Sequence, residues 1–233
     1  MADTMDGATV VVTGASRGIG EQIAHAVAAG GAHAVICARD ADALDAVAAD
    51  IREAGGSVTA VRTDVRDEFD VERLVELATR EGGGAIDFVV ANAGVYHGEP
   101  GETPLSEETY AAFDDHLRTN ARGVFATVRE ALPHLADDAR IVVPTGVVAR
   151  EGYPGYGSYA VSKAAAEAVA RGFAAELDVP VGAVDPGQVE TELSGDGGRE
   201  PEEVAEMVLW ALRDADPAAL DGGVLDWGDY RQR

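Results

Sequence analysis

The chain has 233 residues, of which 46% are hydrophobic and 26% charged, values that suit one domain, spanning 1–233, with a single large core. Its 42 acidic residues against 18 Lys and Arg leave a formal charge of −24, a field that repels nucleic-acid phosphates and anionic membrane surfaces and so excludes both as partners. The one cysteine, Cys37, rules out an internal disulfide and a multi-thiolate metal site, and the 5 scattered histidines lack ligand spacing, so no metal is expected.

The N-terminal residues 1–6 have no basic region followed by an apolar run, and no stretch approaches about 18 apolar residues. A cytoplasmic protein is expected. Self-repulsion at this charge is largely screened only near 1 M salt, where the Debye length is about 3 Å. The acidic excess with almost no lysine therefore predicts a halophilic protein.

Strand-like and helix-like segments alternate along the chain. Thr9 to Thr13 reads as a buried strand and Ile19 to Ala29 as a helix. His33 to Ala38 is a second strand, followed by a helix from Ala41 to Ala54 that Gly55-Gly56 closes. A third strand (Val58 to Arg62), a helix (Asp67 to Arg80) and a fourth strand (Ile86 to Ala91) follow. Ser106 to Leu132 reads as one long helix with an apolar stripe at Tyr110, Phe113, Leu117, Val124 and Val128, stopped before Pro133. Then come a strand at Ile141 to Val143, a helix from Tyr159 to Leu177, a strand at Val179 to Val184, a helix opened by Pro201 and a final strand at Val224 to Trp227. Alternation with continuously apolar strands predicts a Rossmann-type, doubly wound parallel sheet of about seven strands with helices on both faces, its ligand at the carboxyl ends of the strands.

Between the first strand and first helix stands Thr13-Gly14-Ala15-Ser16-Arg17-Gly18-Ile19-Gly20. Glycines there permit a tight turn and close approach of backbone to a pyrophosphate at a helix N-terminus. The only lysine of the chain, Lys163, lies four residues after Tyr159, one helical turn on. An ammonium so placed favours phenolate and would bring a tyrosine towards acid–base use. The spacing alone favours a solvated lysine beside a half-buried tyrosine, because Tyr-x-x-x-Lys occurs often by chance.

Taken together, these motifs resemble the short-chain dehydrogenase/reductase family. Gly14, Ser16, Arg17, Gly18, Ile19 and Gly20 match its cofactor loop, and Asp64-Val65 the pair that holds the adenine. Asn92-Ala93-Gly94 matches its Asn-Ala-Gly motif, and Asn120 the asparagine that disturbs the long helix and holds a water. Tyr159 and Lys163 match the catalytic pair, and Pro186-Gly187 with Val189 and Thr191 the segment that contacts the nicotinamide. The resemblance spans nearly the whole chain. It implies hydride transfer between a nicotinamide cofactor and a carbonyl or alcohol, with Tyr159 as acid–base, Lys163 on the ribose and Asn120 in a proton relay. The second strand ends on Ala38, where NAD-preferring relatives carry an acid, and Arg39 follows it. Arg17 and Arg39 would fork onto a 2′-phosphate, so NADP(H) is expected over NAD(H), with Asp40 weakening the site.

One position departs from the pattern. Counted back from Tyr159, the family's substrate-binding serine falls on Gly146, with Thr145 before it and Pro144 before that. Three readings stay open: a one-residue shift brings Thr145 into the role; Ser158, Tyr153 or Tyr156 supplies the hydroxyl; or the protein is a non-catalytic NADP(H)-binding relative. The loop expected to cover the substrate, 192–200, is short. Tyr96, His97, Tyr153, Tyr156 and Leu193 are candidate lining residues. No basic cluster marks an acyl-carrier or coenzyme A phosphate site, which favours a small neutral ketone, aldehyde or alcohol. The resemblance also implies a homodimer or homotetramer built on the two long helices.

Overall fold

The computed structural model describes residues 5–190 and 197–233. Seven strands form one parallel sheet in the order β3-β2-β1-β4-β5-β6-β7. They are β1 Thr9–Thr13, β2 His33–Ala38, β3 Ser57–Arg62, β4 Ile86–Val90, β5 Leu135–Pro144, β6 Val181–Asp185 and β7 Val224–Asp226. The order reverses between β1 and β4, which opens a crevice beyond their carboxyl ends.

Period-two alternation sends neighbouring strand residues into two separate cores. Val10, Val12, Ile36, Val142 and Val184 face α1 (Gly18–Ala29), α2 (Ala41–Glu53) and α7 (Pro201–Arg213). Val11, Val35, Cys37, Val89 and Ile141 face α3 (Glu68–Gly82), α5 (Gly123–Ala131) and α6 (Gly157–Ala174). Both faces of the sheet are thus covered, which is why its strands read as unbroken apolar runs. Each fully buried Val, Leu or Ile contributes about 1.5–3 kcal/mol.

The segment expected as one long helix is interrupted. It consists of a short 3₁₀ turn at Leu105–Glu107, α4 (Tyr110–His116), a π-helical turn at Leu117–Arg122 and α5. Asn120 sits inside the π turn, where the side chain bonds neighbouring segments instead of solvent. Tyr110, placed by periodicity on the buried stripe, is 91% exposed, whereas Val124 and Val128 are buried as expected. The stripe fails at its start because α4 begins only at Tyr110. Two short helices at the end, α8 (Pro217–Leu220) and α9 (Trp227–Arg231), were not legible as helices in the sequence, and Trp227 starts α9 rather than ending β7. Among the described residues no helix is long and apolar enough to cross a membrane.

Candidate active site

The turn between β1 and α1 is pressed against the segment after β4. Gly14 has φ +68°, and a Cβ there would lie 2.7 Å from Ala93 Cα, so only glycine fits. Asn92 donates from its amide to the carbonyls of Thr13 (2.9 Å) and Gly14 (3.1 Å), and Ala93 N donates to Thr13 Oγ1 at 3.0 Å. Asn92 and Ala93 thus shape the loop. Arg17 is extended and no side chain caps the first turn of α1, leaving the N–H groups around Gly18, Ile19 and Gly20 as donors at the positive end of a 12-residue helix. That geometry, with Ser16 beside it, fits a dinucleotide pyrophosphate.

Arg17 and Arg39 are both exposed near the end of β2, a fit for an additional phosphate. Arg17 Nη2 lies 3.5 Å from Asp40 Oδ2, so Asp40 competes for it. Asp64 accepts from Arg66 through both carboxylate oxygens, and that guanidinium holds its carboxyl below the usual range. Arg66 also donates to Asp115 (2.7 Å), which in turn meets His97 Nε2 at 2.9 Å. Val65 is buried against Val71, Ala126 and Ala93.

Asn120 joins three segments. Its amide donates to Val95 O and Ser162 Oγ, both at 2.9 Å, and its oxygen accepts from Val95 N at 2.8 Å. A Cβ on Gly94 would approach that oxygen to 3.4 Å. Tyr159 and Lys163 project from one face of α6. Lys163 Nζ lies 5.9 Å from the Tyr159 ring centre and donates to Pro144 O at 2.8 Å. Burial lowers the amine to about 8, opposed by Glu167 and Asp185. Tyr159 is instead pushed up by burial, with Tyr96, Tyr156 and Asp185 adding to the effect. The Lys163 ammonium is directed to the Pro144 carbonyl rather than to the Tyr159 hydroxyl.

The Thr145 hydroxyl donates to Glu167 Oε1 at 2.8 Å. Gly146 is extended (φ −162°), and a Cβ on it would meet only Val148 Cγ2, at 3.9 Å. Ser158 is fully buried with its hydroxyl 2.6 Å from His116 Nδ1. His116 Nε2 accepts from His97 N at 3.0 Å, so the neutral ring carries its proton on Nδ1, where Glu108 Oε1 also lies at 3.2 Å. With both partners on one nitrogen, Ser158, His116 and Glu108 cannot relay a proton through the ring as a hydrolase triad does. Tyr96 stands edge-on to Tyr159 (4.9 Å between centres) and 6.5 Å from Tyr156, which is 6.4 Å from Tyr153. Four of the six tyrosines of the chain therefore line up at the site.

Pro186 and Gly187 follow β6. Arg199 donates to Pro186 O at 2.7 Å, stacks 4.4 Å from the Trp227 ring centre and bridges to Val189. Thr191 and Leu193 lie outside the described residues. Sequence reasoning missed Arg150, Glu167, Asp185 and Arg199. Glu167 and Asp185 had a signal, one turn beyond Lys163 and directly before Pro186; Arg150 and Arg199 had none.

Comparison with known proteins agrees with this geometry. The family described as short chain dehydrogenase matches residues 8–201. The glycine betaine reductase ATRR of Emericella nidulans is 31% identical over 93% of this chain, which spans only 18% of that protein. A hydroxynaphthalene reductase-like protein, Arp2 of Metarhizium brunneum, is 35% identical over 82% of this chain and 71% of its own length. A short chain dehydrogenase of Burkholderia cenocepacia in complex with NADP superposes with a TM-score of 0.86 at 29% identity, covering 96% of this chain and 97% of that one. The chain belongs to the short-chain dehydrogenase/reductase family. Its relatives are reductases, and it is an oxidoreductase of that family with a fold that takes a nicotinamide cofactor.

Proposed function

We propose that the protein reduces a small carbonyl compound, or oxidises the corresponding alcohol, with NADP(H), and that Tyr159 exchanges the proton with the substrate oxygen. The observation that carries this reading is the placement of Tyr159 and Lys163, the sole lysine, side by side on α6, with Lys163 reaching the end of β5. The bound nicotinamide would give or take the hydride. Gly14, Ser16, Gly18, Ile19 and Gly20 would hold the pyrophosphate, Asp64 and Val65 would flank the adenine, and Lys163 would reach the ribose. Pro186, Gly187, Val189 and Thr191 would border the nicotinamide. Arg17 and Arg39 favour a 2′-phosphate over a free hydroxyl, which supports NADP(H), with NAD(H) as the weaker alternative. Asn120 would order the relay that returns protons to Lys163.

The row of Tyr96, Tyr156 and Tyr153 and the similarity to a hydroxynaphthalene reductase-like protein support a planar ring ketone as substrate. The charge of −24 supports work at molar salt, where self-repulsion is screened. The exposed Phe125 on α5 and Val161 on α6 support assembly of two or four copies through those helices.

A second reading, a non-catalytic NADP(H)-binding protein, rests on Gly146 and on the Thr145 hydroxyl being held by Glu167. Consumption of NADPH and NADH with a panel of ketones and aldehydes, in molar potassium chloride and in dilute buffer, separates the two. Turnover with NADPH that Tyr159→Phe lowers by roughly 10²–10⁴-fold, with NADPH binding retained, supports the enzyme. NADPH binding without turnover of any substrate supports the second reading.

A further inference from the structure

Three charged side chains from three segments meet at Glu167, one helical turn beyond Lys163. Arg150, in the loop after β5, donates from Nη1 to Glu167 Oε1 and from Nη2 to Asp185 Oδ2. Glu167 stands one turn beyond Lys163 on α6, and Asp185 ends β6. Their carboxylates are 3% and 7% exposed. Glu167 also accepts from Thr145 Oγ1 and lies 3.7 Å from Arg171, while Asp185 Oδ1 accepts from Gly187 N at 2.8 Å.

Buried ion networks are a poor route to stability, since well-packed apolar residues serve as well or better. This one is placed where charge has a chemical consequence. The charged and titratable groups that face Lys163 are Glu167 and Tyr159 on its own helix and Asp185 from β6, with Arg150 joining the two carboxylates from the loop after β5. Each carboxylate favours the ammonium, and Arg150 offsets both. The network also binds the Pro186–Gly187 segment to α6 through Asp185, because the carboxylate that meets Arg150 also holds the Gly187 N–H.

We propose that Arg150, Glu167 and Asp185 are positioning residues, which govern the charge that Lys163 carries and tie the Pro186–Gly187 segment to the helix bearing Tyr159 and Lys163. The consequence for turnover rests on the reading of Tyr159 and Lys163 as the acid–base pair; the ionisation itself does not.

A chain with a single lysine allows a direct test. Protein labelled with [13Cε]lysine gives one lysine Cε resonance, and its pH titration reports Lys163 with no cofactor, substrate or turnover. Glu167→Gln and Asp185→Asn are expected to lower the midpoint, and Arg150→Gln to raise it, each by about one unit. NADPH titration followed by fluorescence is expected to show weaker binding in Arg150→Gln. A midpoint that stays put in all three variants, or moves the same way in all, overturns the proposal. A variant that fails to fold reveals itself by titrating near the ordinary lysine value of 10.5, and the remaining two still decide. An unmoved midpoint in an active enzyme sinks the network alone. A moved midpoint in a protein without turnover upholds the network and sinks the enzyme reading.

Discussion

Thr145 Oγ1 donates to the buried carboxylate of Glu167 at 2.8 Å, and this bond commits the hydroxyl that directly precedes Gly146. Thr145 is 7% exposed, and its hydroxyl can donate only once. The next residue, Gly146, carries no side chain, and the direction its Cβ would take is open.

Thr145→Val is therefore expected to cost about 1–2 kcal/mol in urea unfolding, through loss of the hydrogen bond to Glu167 Oε1, which keeps Arg150 as a donor, and to change kcat/KM less than about threefold. Gly146→Ser, in extended backbone that any residue adopts, is expected to raise kcat/KM by about tenfold or more by supplying a donor to the substrate oxygen. Loss of turnover in Thr145→Val with no gain in Gly146→Ser would place the functional hydroxyl on Thr145.

Lys163 also predicts a pH dependence of stability. The folded protein releases the amine proton near 8, the unfolded chain only near 10.5. Between these values the unfolded state binds more protons, so stability rises with pH across that window. Lys163→Met removes this dependence. The variant is expected to be more stable than the parent at pH 7, with the advantage shrinking as pH climbs from about 8 to 10.5. Denaturant midpoints of the two proteins taken at several pH values check the trend, and parallel curves would contradict the buried amine.

The proposed preference for NADP(H) rests on Arg39 and on Arg17, whose Nη2 lies 3.5 Å from Asp40 Oδ2. Asp40→Asn keeps the side-chain oxygen that accepts from Ala43 N at the start of α2 but removes the competing charge. Its preference for NADPH over NADH is expected to rise about threefold, and that of Arg39→Ser to fall about tenfold. Ratios of kcat/KM for the two cofactors measure both; an unchanged ratio in Arg39→Ser would remove Arg39 from the phosphate site.

Asn120 makes three bonds from the π turn, to both backbone groups of Val95 and to Ser162. Asn120→Ala leaves the half-buried N–H and C=O of Val95 without their side-chain partner and is expected to cost about 1–3 kcal/mol in addition to any loss of turnover. A variant as stable as the parent would mean that water replaces the amide in full.

Alternation of strands and helices, the apolar strand runs and the glycine loop were legible because each depends on local periodicity and backbone freedom. These determined the parallel sheet with its two covered faces, whereas the strand order and its reversal between β1 and β4 came only with the structure. A four-residue spacing on a helix places Tyr159 and Lys163 together wherever that helix goes, but it was the accompanying motifs that singled the pair out. Other features arise between segments distant in sequence. The break of the long helix at Asn120 depends on Val95 and Ser162 being its partners. The assignment of the Thr145 hydroxyl depends on Glu167, 22 residues away. Arg150 bridges two carboxylates, on α6 and at the end of β6, and nothing near it in sequence announces them. The chain order by itself determined the fold class and the pairing of Tyr159 with Lys163 on one helix. Only the tertiary structure decided which hydroxyl is committed elsewhere and which charges surround the single lysine, because those depend on distances across the sheet rather than along the chain.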